Sequence, residues 1–253
     1  RSRRAVDPAA PQAVARAEQL NTELRALTAA HLAAIRTELQ RIPRQVSGYH
    51  LGHLLPEQGF DVAATLAGSE GTAAIVLRAR MRLVPKPRTT ALGCVGYSSM
   101  PEAARDVGAV LAHEPTAIEG FDGALVETMR ARRGPESVRA LPAGEAFVLV
   151  EFSAHSEAAA RERCDRLVAE LGRIGRSVDA LIVTDPAQRA ELWRVREDGA
   201  GLVSRALDGT PSWPGWEDSA VAPERLADYL AELAALIARF GYVGHMYGHF
   251  GAG

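Results

Sequence analysis

The alternation of strand-like and helix-like segments after Pro87 constrains the fold of this chain more than any other feature of its 253 residues. Short apolar runs typical of buried strands occur at 91–97, 116–121, 146–152 and 180–184. Segments with the apolar period of helices occur at 99–113, 123–133, 156–174 and 224–240. Ser99 and Asp185 are expected helix caps, and Asp185-Pro186 opens a further helix. Because such elements pack as layers of helices against a sheet, the pattern predicts an α+β or α/β domain.

The first part of the chain predicts one long helix. From Leu20 to Ile42, apolar residues recur every three or four positions and share one face, and Pro43 ends the pattern. Such a helix either packs on its own domain or dimerises as a coiled coil.

A glycine-rich loop, 45–72, follows this helix. Residues 75–83 then alternate between apolar and mostly cationic side chains, and a period of two predicts a β-strand. Pro85 and Pro87 end this strand. We therefore expect two domains, 1–87 and 88–253.

Composition disfavours several functional classes. The 29 basic and 31 acidic residues give a net charge of −2, which disfavours a general nucleic-acid-binding protein. No apolar run reaches the ~18 residues of a membrane helix, and the basic N-terminus lacks the apolar region of a signal peptide. Cys94 and Cys164 are too few for a four-thiolate zinc or iron–sulfur site within this chain. We expect a cytoplasmic location, with peripheral association at the inner membrane as an alternative.

The segment GSEGT, residues 68–72, is the first candidate binding site. Glycines let the backbone approach a ligand closely, and hydroxyl and amide groups donate to phosphate or ribose oxygens. The segment lacks the lysine of a phosphate-binding P-loop and precedes no helix. A tight turn before a strand is the alternative interpretation.

Three further residues carry candidate chemistry. Arg196 can clamp a carboxylate through two parallel hydrogen bonds, or form a surface patch with Glu197. His245 and His249 lie on one face, with Tyr247, if their segment is extended. Such histidines bind a metal, exchange protons or simply pack.

Two further sets of candidate residues lie in or near the loop that precedes the last predicted helix. Glu217 and Asp218 can do acid–base chemistry or favour the N-terminus of the following helix. The three tryptophans line a pocket or form a core under a loop: Trp193, Trp213 and Trp216.

Five segments, in their order along the chain, resemble the FAD-linked oxidases of the vanillyl-alcohol-oxidase type. The resemblance is strongest to the branch of D-lactate dehydrogenases and glycolate oxidases, including long bacterial forms with an extra iron–sulfur domain. The segments are RQVSGYHLGHLLPE, LAGSEGTAAIVLRARMRLVPKP, LWRVREDGAG, WEDSAVAPERL and YGHFGAG.

This resemblance implies that 1–87 is the C-terminal part of an FAD-binding domain. It implies that 88–253 is a cap and substrate domain with a ferredoxin-like antiparallel sheet, incomplete at its C-terminus. Arg196 matches an arginine that anchors the substrate carboxylate. His249 matches a histidine beside the flavin, which in several members also binds a divalent metal such as Zn or Mn. The positions that match FAD contacts are Gly48 and Tyr49 near the flavin, Gly68, Ser69, Glu70 and Gly71 at the ribose and diphosphate, and Ile75 and Val76 towards the adenine.

The chain also departs from the family pattern. Ala252 stands where the signature has Asp, Ala200 where several members have a substrate-binding Thr, and Trp216 where many have Lys. The first half of the FAD domain and the second metal histidine are missing, so we expect a part of a longer enzyme, truncated at both ends.

The resemblance predicts an FAD-dependent enzyme that oxidises a D-lactate-like or glycolate-like 2-hydroxy acid by hydride transfer to flavin. Electrons would pass to an iron–sulfur domain, a quinone or a cytochrome, and any iron–sulfur cluster would belong to a domain outside this chain. The alternatives are a flavin-free structural or binding module and a metal hydrolase that uses His245, His249 and a carboxylate.

Overall fold

The structure is a computed structural model that describes residues 11–39, 42, 48–205, 207, 209, 212 and 219–253. The chain divides into two compact units. The first unit is Arg1–Arg41 with Gln45–Leu83, and the second is Ile42–Arg44 with Val84–Gly253. The expected domain boundary at residue 87 stays a prediction.

The first unit contains helices, 3₁₀ turns and a segment without regular secondary structure. Its helices are α1 (Pro11–Ala30), α2 (Leu32–Thr37) and α3 (Val62–Leu66), with 3₁₀ turns at Leu51–Leu54 and Pro56–Gln58. The predicted single helix over 20–42 is therefore two helices that begin earlier, break at His31 and end at Thr37. One turn before the break, the Thr28 hydroxyl donates to the Leu24 carbonyl at 2.8 Å, a bond that competes with the helical ladder.

The predicted strand at 75–83 is wrong. These residues have no regular secondary structure, and Ile75 and Leu77 are 87% and 93% exposed. A strand is stable only when a neighbour satisfies its backbone N–H and C=O groups, and no described residue pairs with this segment. The alternation of side chains therefore did not produce a strand here.

The second unit follows the predicted order of strands and helices closely. Its elements are β1 (Thr89–Tyr97), α4 (Met100–Arg105), α5 (Val107–Ala112), β2 (Ala117–Asp122), α6 (Gly123–Arg133), β3 (Ala146–Ala154), α7 (Glu157–Ile174), β4 (Ser177–Val183), α8 (Pro186–Leu202), α9 (Leu226–Arg239) and β5 (Tyr247–Gly248). 3₁₀ turns occur at Pro135–Val138 and Pro223–Arg225. The Ser99 side chain accepts a hydrogen bond from the Glu102 N–H at 3.4 Å, and the Asp185 side chain accepts one from the Gln188 N–H at 2.9 Å. Both predicted helix caps are thereby confirmed.

The five strands form one antiparallel sheet in the order β4-β1-β3-β2-β5. Two helical crossovers, between β1 and β2 and between β3 and β4, give its first four strands the ferredoxin-like arrangement. One core packs α4, α5, α7 and α9 against one face of the sheet, and a second core packs α6 and α8 against the other. The α+β prediction is confirmed. Of the helices that the structure describes, none is long and apolar enough to cross a membrane.

The end of the chain is tied to the edge of this sheet. Strand β5 pairs with β2, with Gly248 opposite Gly120. Phe250 is buried against the same strand, and a Cβ on Gly120 would lie 2.4 Å from its ring. The Asp122 side chain accepts the Met246 N–H at 2.7 Å. Residues 246–250 are therefore held beside β2.

Candidate active site

A nearly buried carboxylate, Glu119, lies at the centre of the candidate active site. It belongs to β2, and its side chain is 9% exposed on the sheet face that α8 covers. Its Oε2 atom accepts a hydrogen bond from Arg196 Nε at 3.2 Å. Its Oε1 atom is hydrogen-bonded to His249 Nδ1. A buried carboxylate without partners costs several kcal/mol. The arginine and the histidine therefore satisfy Glu119, and Glu119 joins them.

Arg196 is held at two points. Besides the bond from Nε to Glu119, its guanidinium lies over the Tyr247 ring at 4.8 Å from the centroid. Its side chain is 15% exposed, and its two Nη groups make no hydrogen bond to any residue in the described part of the chain. A planar guanidinium with a free pair of amino groups matches the two oxygens of a carboxylate.

Helix α8 and strand β5 bring these side chains together. The close packing of α8 on α6 depends on Gly199, because a Cβ there would lie 2.3 Å from the Leu125 side chain. Pairing of β5 with β2 places Tyr247 opposite Phe121, so that Tyr247 and His249 reach the face that carries Glu119. We call Glu119, Arg196, Tyr247 and His249 the Glu119 cluster.

Two of the predicted site residues contact a third residue, Glu119, which the sequence analysis did not identify. Arg196 and His249 meet at Glu119, and the carboxylate partner of Arg196 is not the neighbouring Glu197, which is exposed. The available signal was a carboxylate within the short apolar strand AIEGFD. Glu119 is therefore the residue that a search for polar side chains in buried strands would have found.

His245 is not part of the Glu119 cluster. Its Nδ1 atom is buried and has no hydrogen-bond partner among the described residues. Within the same described ranges, no three histidine, cysteine or acidic side chains form a group that could hold a metal ion. Trp213, Trp216, Glu217 and Asp218 lie outside the described residues.

A second polar pair lies on the same face of the sheet. Arg189, one turn from the start of α8, lies 4.0 Å from Glu151 of β3 and donates from Nε to the Thr184 carbonyl at 3.2 Å. An open groove beside this pair is lined by Glu151, Ala190, Trp193, Arg194 and Glu197. Trp193 is thus at a groove edge and is also packed against the second core.

In the first unit, the structure brings Tyr49 to the 68–72 loop. The Thr72 hydroxyl donates to the Ser69 carbonyl at 2.6 Å, and the Tyr49 and Thr72 hydroxyls are 3.0 Å apart. Gly68, Glu70 and Gly71 all have positive φ, at 81°, 51° and 74°. The loop is therefore a strained, tightly turned segment that glycine makes possible at two positions.

The loop has donors that a ligand can use. Among described residues, the Glu70 and Gly71 N–H groups donate to no backbone carbonyl, whereas those of Ser69 and Thr72 do. Glu70 and Gly71 are exposed, and a Cβ on Gly71 would meet nothing within 4 Å. These features fit a nucleotide phosphate or ribose. Ser69, in contrast, is buried.

Residues 86–253 match the family described as FAD linked oxidases, C-terminal domain. The chain belongs to the FAD-linked oxidase family. The match confirms the resemblance inferred from the five segments. The antiparallel sheet of the second unit lies within the matched C-terminal domain.

The chain is also similar to individual named proteins. The chain is 32% identical to a D-2-hydroxyglutarate dehydrogenase of Pseudomonas putida, over 87% of this chain and 23% of the relative. It is 28% identical to a D-lactate dehydrogenase of Archaeoglobus fulgidus, over 82% and 41%, and 26% identical to the glycolate oxidase subunit GlcD of Escherichia coli, over 62% and 32%. The chain therefore spans about a quarter to two fifths of the length of these relatives.

Proposed function

We propose that this chain is part of an FAD-dependent dehydrogenase that oxidises a small 2-hydroxy acid. The Glu119 cluster carries the proposal, because it pairs a carboxylate-binding group with a proton acceptor. The names of the relatives support this class of substrate: D-2-hydroxyglutarate, D-lactate and glycolate are all 2-hydroxy acids. A flavin-free structural or binding module is the weaker alternative, because the chain belongs to an FAD-linked family.

Each member of the cluster has a defined task in this proposal. The free Nη groups of Arg196 bind the substrate carboxylate and so orient the 2-hydroxyl. His249 takes the hydroxyl proton on its Nε2 atom, since Nδ1 is engaged by Glu119. The Glu119 carboxylate compensates the positive charge that His249 then gains. FAD, when bound, supplies the hydride acceptor.

Residues of the first unit would hold the FAD. Gly48 and Tyr49 are proposed near the flavin, and Ile75 and Val76 towards the adenine. The ribose and diphosphate would contact Gly68, Ser69, Glu70 and Gly71. The exposed N–H groups of the 68–72 loop support this assignment, and burial of Ser69 makes its share of the contact smaller than that of Glu70 and Gly71.

Metal and iron–sulfur chemistry are assigned no step in this chain. A Zn or Mn ion could use His249 Nε2, but the described residues offer no group of three ligands around it. Cys94 and Cys164 are both buried, and burial raises the pKa of both thiols, that of Cys164 to about 12. Thiolate ligands for an iron–sulfur cluster would therefore belong to another domain. A quinone or a cytochrome is the other proposed electron acceptor.

The proposal is tested on the complete polypeptide that contains this chain, purified with its flavin. Under anaerobic conditions, D-2-hydroxyglutarate, D-lactate or glycolate should bleach the visible flavin spectrum, and a 3-hydroxy acid should not. An Arg196→Ala variant should keep the flavin and lose kcat/KM by about 100-fold or more, because an orienting charge is lost. A protein that stays colourless with added FAD would instead support the structural or binding module.

A further inference from the structure

We propose that Glu119 is a positioning residue, which fixes the orientation of Arg196 and the tautomer of His249. The inference rests on the proposed function, because it explains how those two side chains are prepared for a 2-hydroxy acid. The hydrogen-bonding state of His249 can be measured with or without turnover.

The partners of Glu119 distinguish it from the other acidic groups near the sheet. Asp122 accepts two backbone N–H groups, at 2.8 and 2.7 Å, so it caps a helix and anchors the end of the chain. Asp106 is fully buried and pairs with Arg176 at 2.6 Å. Glu119 accepts from no backbone N–H in the described parts of the chain, and both its partners are residues proposed to touch the substrate. The hydrogen bonds of this nearly buried carboxylate are therefore made to side chains of the Glu119 cluster rather than to the backbone.

Glu119 leaves Arg196 ready for a bidentate ligand. It uses only the Nε–H, at 3.2 Å, and the Tyr247 ring supports the guanidinium plane. The two Nη groups, which form the other edge of the fork, stay available. A substrate carboxylate can therefore bind without displacing Glu119.

Glu119 also decides which nitrogen of His249 is the base. An ionised carboxylate can only accept hydrogen bonds, so the Nδ1 atom of His249 must carry the hydrogen. In the neutral ring, the Nε2 atom is then unprotonated. Half of the His249 side chain is exposed, which leaves the ring accessible to a substrate.

A Glu119→Gln variant separates the two roles. Arg196 Nε can only donate, so the amide oxygen of the glutamine should stay with Arg196. The amide NH₂ then faces His249 Nδ1, and the ring must give up its Nδ1 hydrogen to accept it. The proton acceptor on Nε2 is thereby lost, while the carboxylate clamp is retained.

We therefore expect Glu119→Gln to lower kcat by about 100-fold with KM close to that of the wild type, since a general base contributes at least this factor. Nitrogen NMR of histidine-labelled full chain, at mildly alkaline pH, should show His249 changing from the Nδ1–H to the Nε2–H tautomer. A His249→Gln variant assigns the signal. Glu119→Asp keeps an acceptor-only side chain and should preserve the Nδ1–H form and restore part of the lost kcat.

Glu170→Gln is the matched control, because Glu170 forms a comparable pair with His113, at 2.8 Å, within the second unit. It should leave kcat and KM unchanged. Wild-type kcat in Glu119→Gln, or a fall in kcat without a change of tautomer, would overturn the proposal. If the wild-type enzyme oxidises no 2-hydroxy acid, the proposed function fails, and the tautomer in the two Glu119 variants still decides whether Glu119 sets the state of His249.

Discussion

Strand β3 is hydrogen-bonded to β1 on one side and to β2 on the other, whereas residues 75–83 pair with no strand in the described ranges. Both segments contain the apolar residues that sequence analysis assigns to strands. Leu149 in β3 is completely buried, but Leu77 is 93% exposed. The two segments thus have similar local signals and opposite environments.

The kind of pattern explains the difference. The continuous apolar run AFVLVEF indicates a central strand that is covered by helices on both faces, and the second unit provides both layers. The alternating run IVLRARMRL indicates a strand with one buried face, which is stable only if a partner supplies the hydrogen bonds and covers that face. An alternation of apolar and polar side chains therefore predicts only a local preference for a strand. Whether that strand forms depends on distant residues that could pair with it.

The largest expected effect tests this contrast with leucines. Leu149→Ala should lower the free energy of unfolding by ~2–5 kcal/mol, because it leaves a cavity in the core between the sheet and helices α6 and α8. Leu77→Ala should change it by less than ~0.5 kcal/mol, since the side chain is already in solvent. Urea unfolding of both variants measures the difference. A cost above ~1 kcal/mol for Leu77→Ala would show that residues 75–83 are buried against another segment.

The fold of the second unit was largely predictable because its signals are local. Strands β1 to β4 and helix α6 occur where their apolar patterns lie, and Ser99 and Asp185 cap their helices as expected. The long N-terminal helix was less predictable. Thr28 competes for a helical carbonyl near the break at His31, and an apolar period does not register that competition.

The candidate site was predictable only in part. Arg196 and His249 were recognised by their resemblance to family positions, but Glu119 lies 77 positions from the one and 130 from the other. Their meeting depends on the pairing of β5 with β2 and on the close approach of α8, which are long-range contacts. A single sequence carries no direct signal for such contacts.

A smaller effect tests the paired edge of the sheet. Gly120→Ala should lower the free energy of unfolding by ~1–3 kcal/mol, because the new methyl group overlaps the Phe250 ring. Gly52→Ala, in the first unit, meets no atom within 4 Å and should be nearly neutral. Thermal unfolding of the two variants compares the regions. Equal stability of both would show that residues 246–250 do not pack on β2.

The smallest expected effect concerns Asp122, a partly buried carboxyl group at this edge of the sheet. The charged side chains of Arg78, Arg80 and Arg82, in contrast, are exposed. Burial raises the pKa of the Asp122 carboxyl, against the opposing effects of the N–H groups of Met246 and Leu125 and of the charge of His245. A raised pKa means that the folded chain holds this proton more tightly than the unfolded chain. The stability from this group is thus complete below the unfolded pKa of about 3.9 and is lost as the pH rises through the folded value.

The free energy of unfolding of the wild type should therefore fall relative to that of Asp122→Asn as the pH rises from about 4 towards neutrality. Urea unfolding across this range measures the difference between the two proteins, which cancels the contributions of groups that do not interact with Asp122. Added salt should leave the slope in place, because its cause is burial rather than a pair of surface charges. If the wild type instead gained stability relative to the variant, the two N–H groups and His245 would outweigh burial, and Asp122 would be a stabilising anchor in its ionised form.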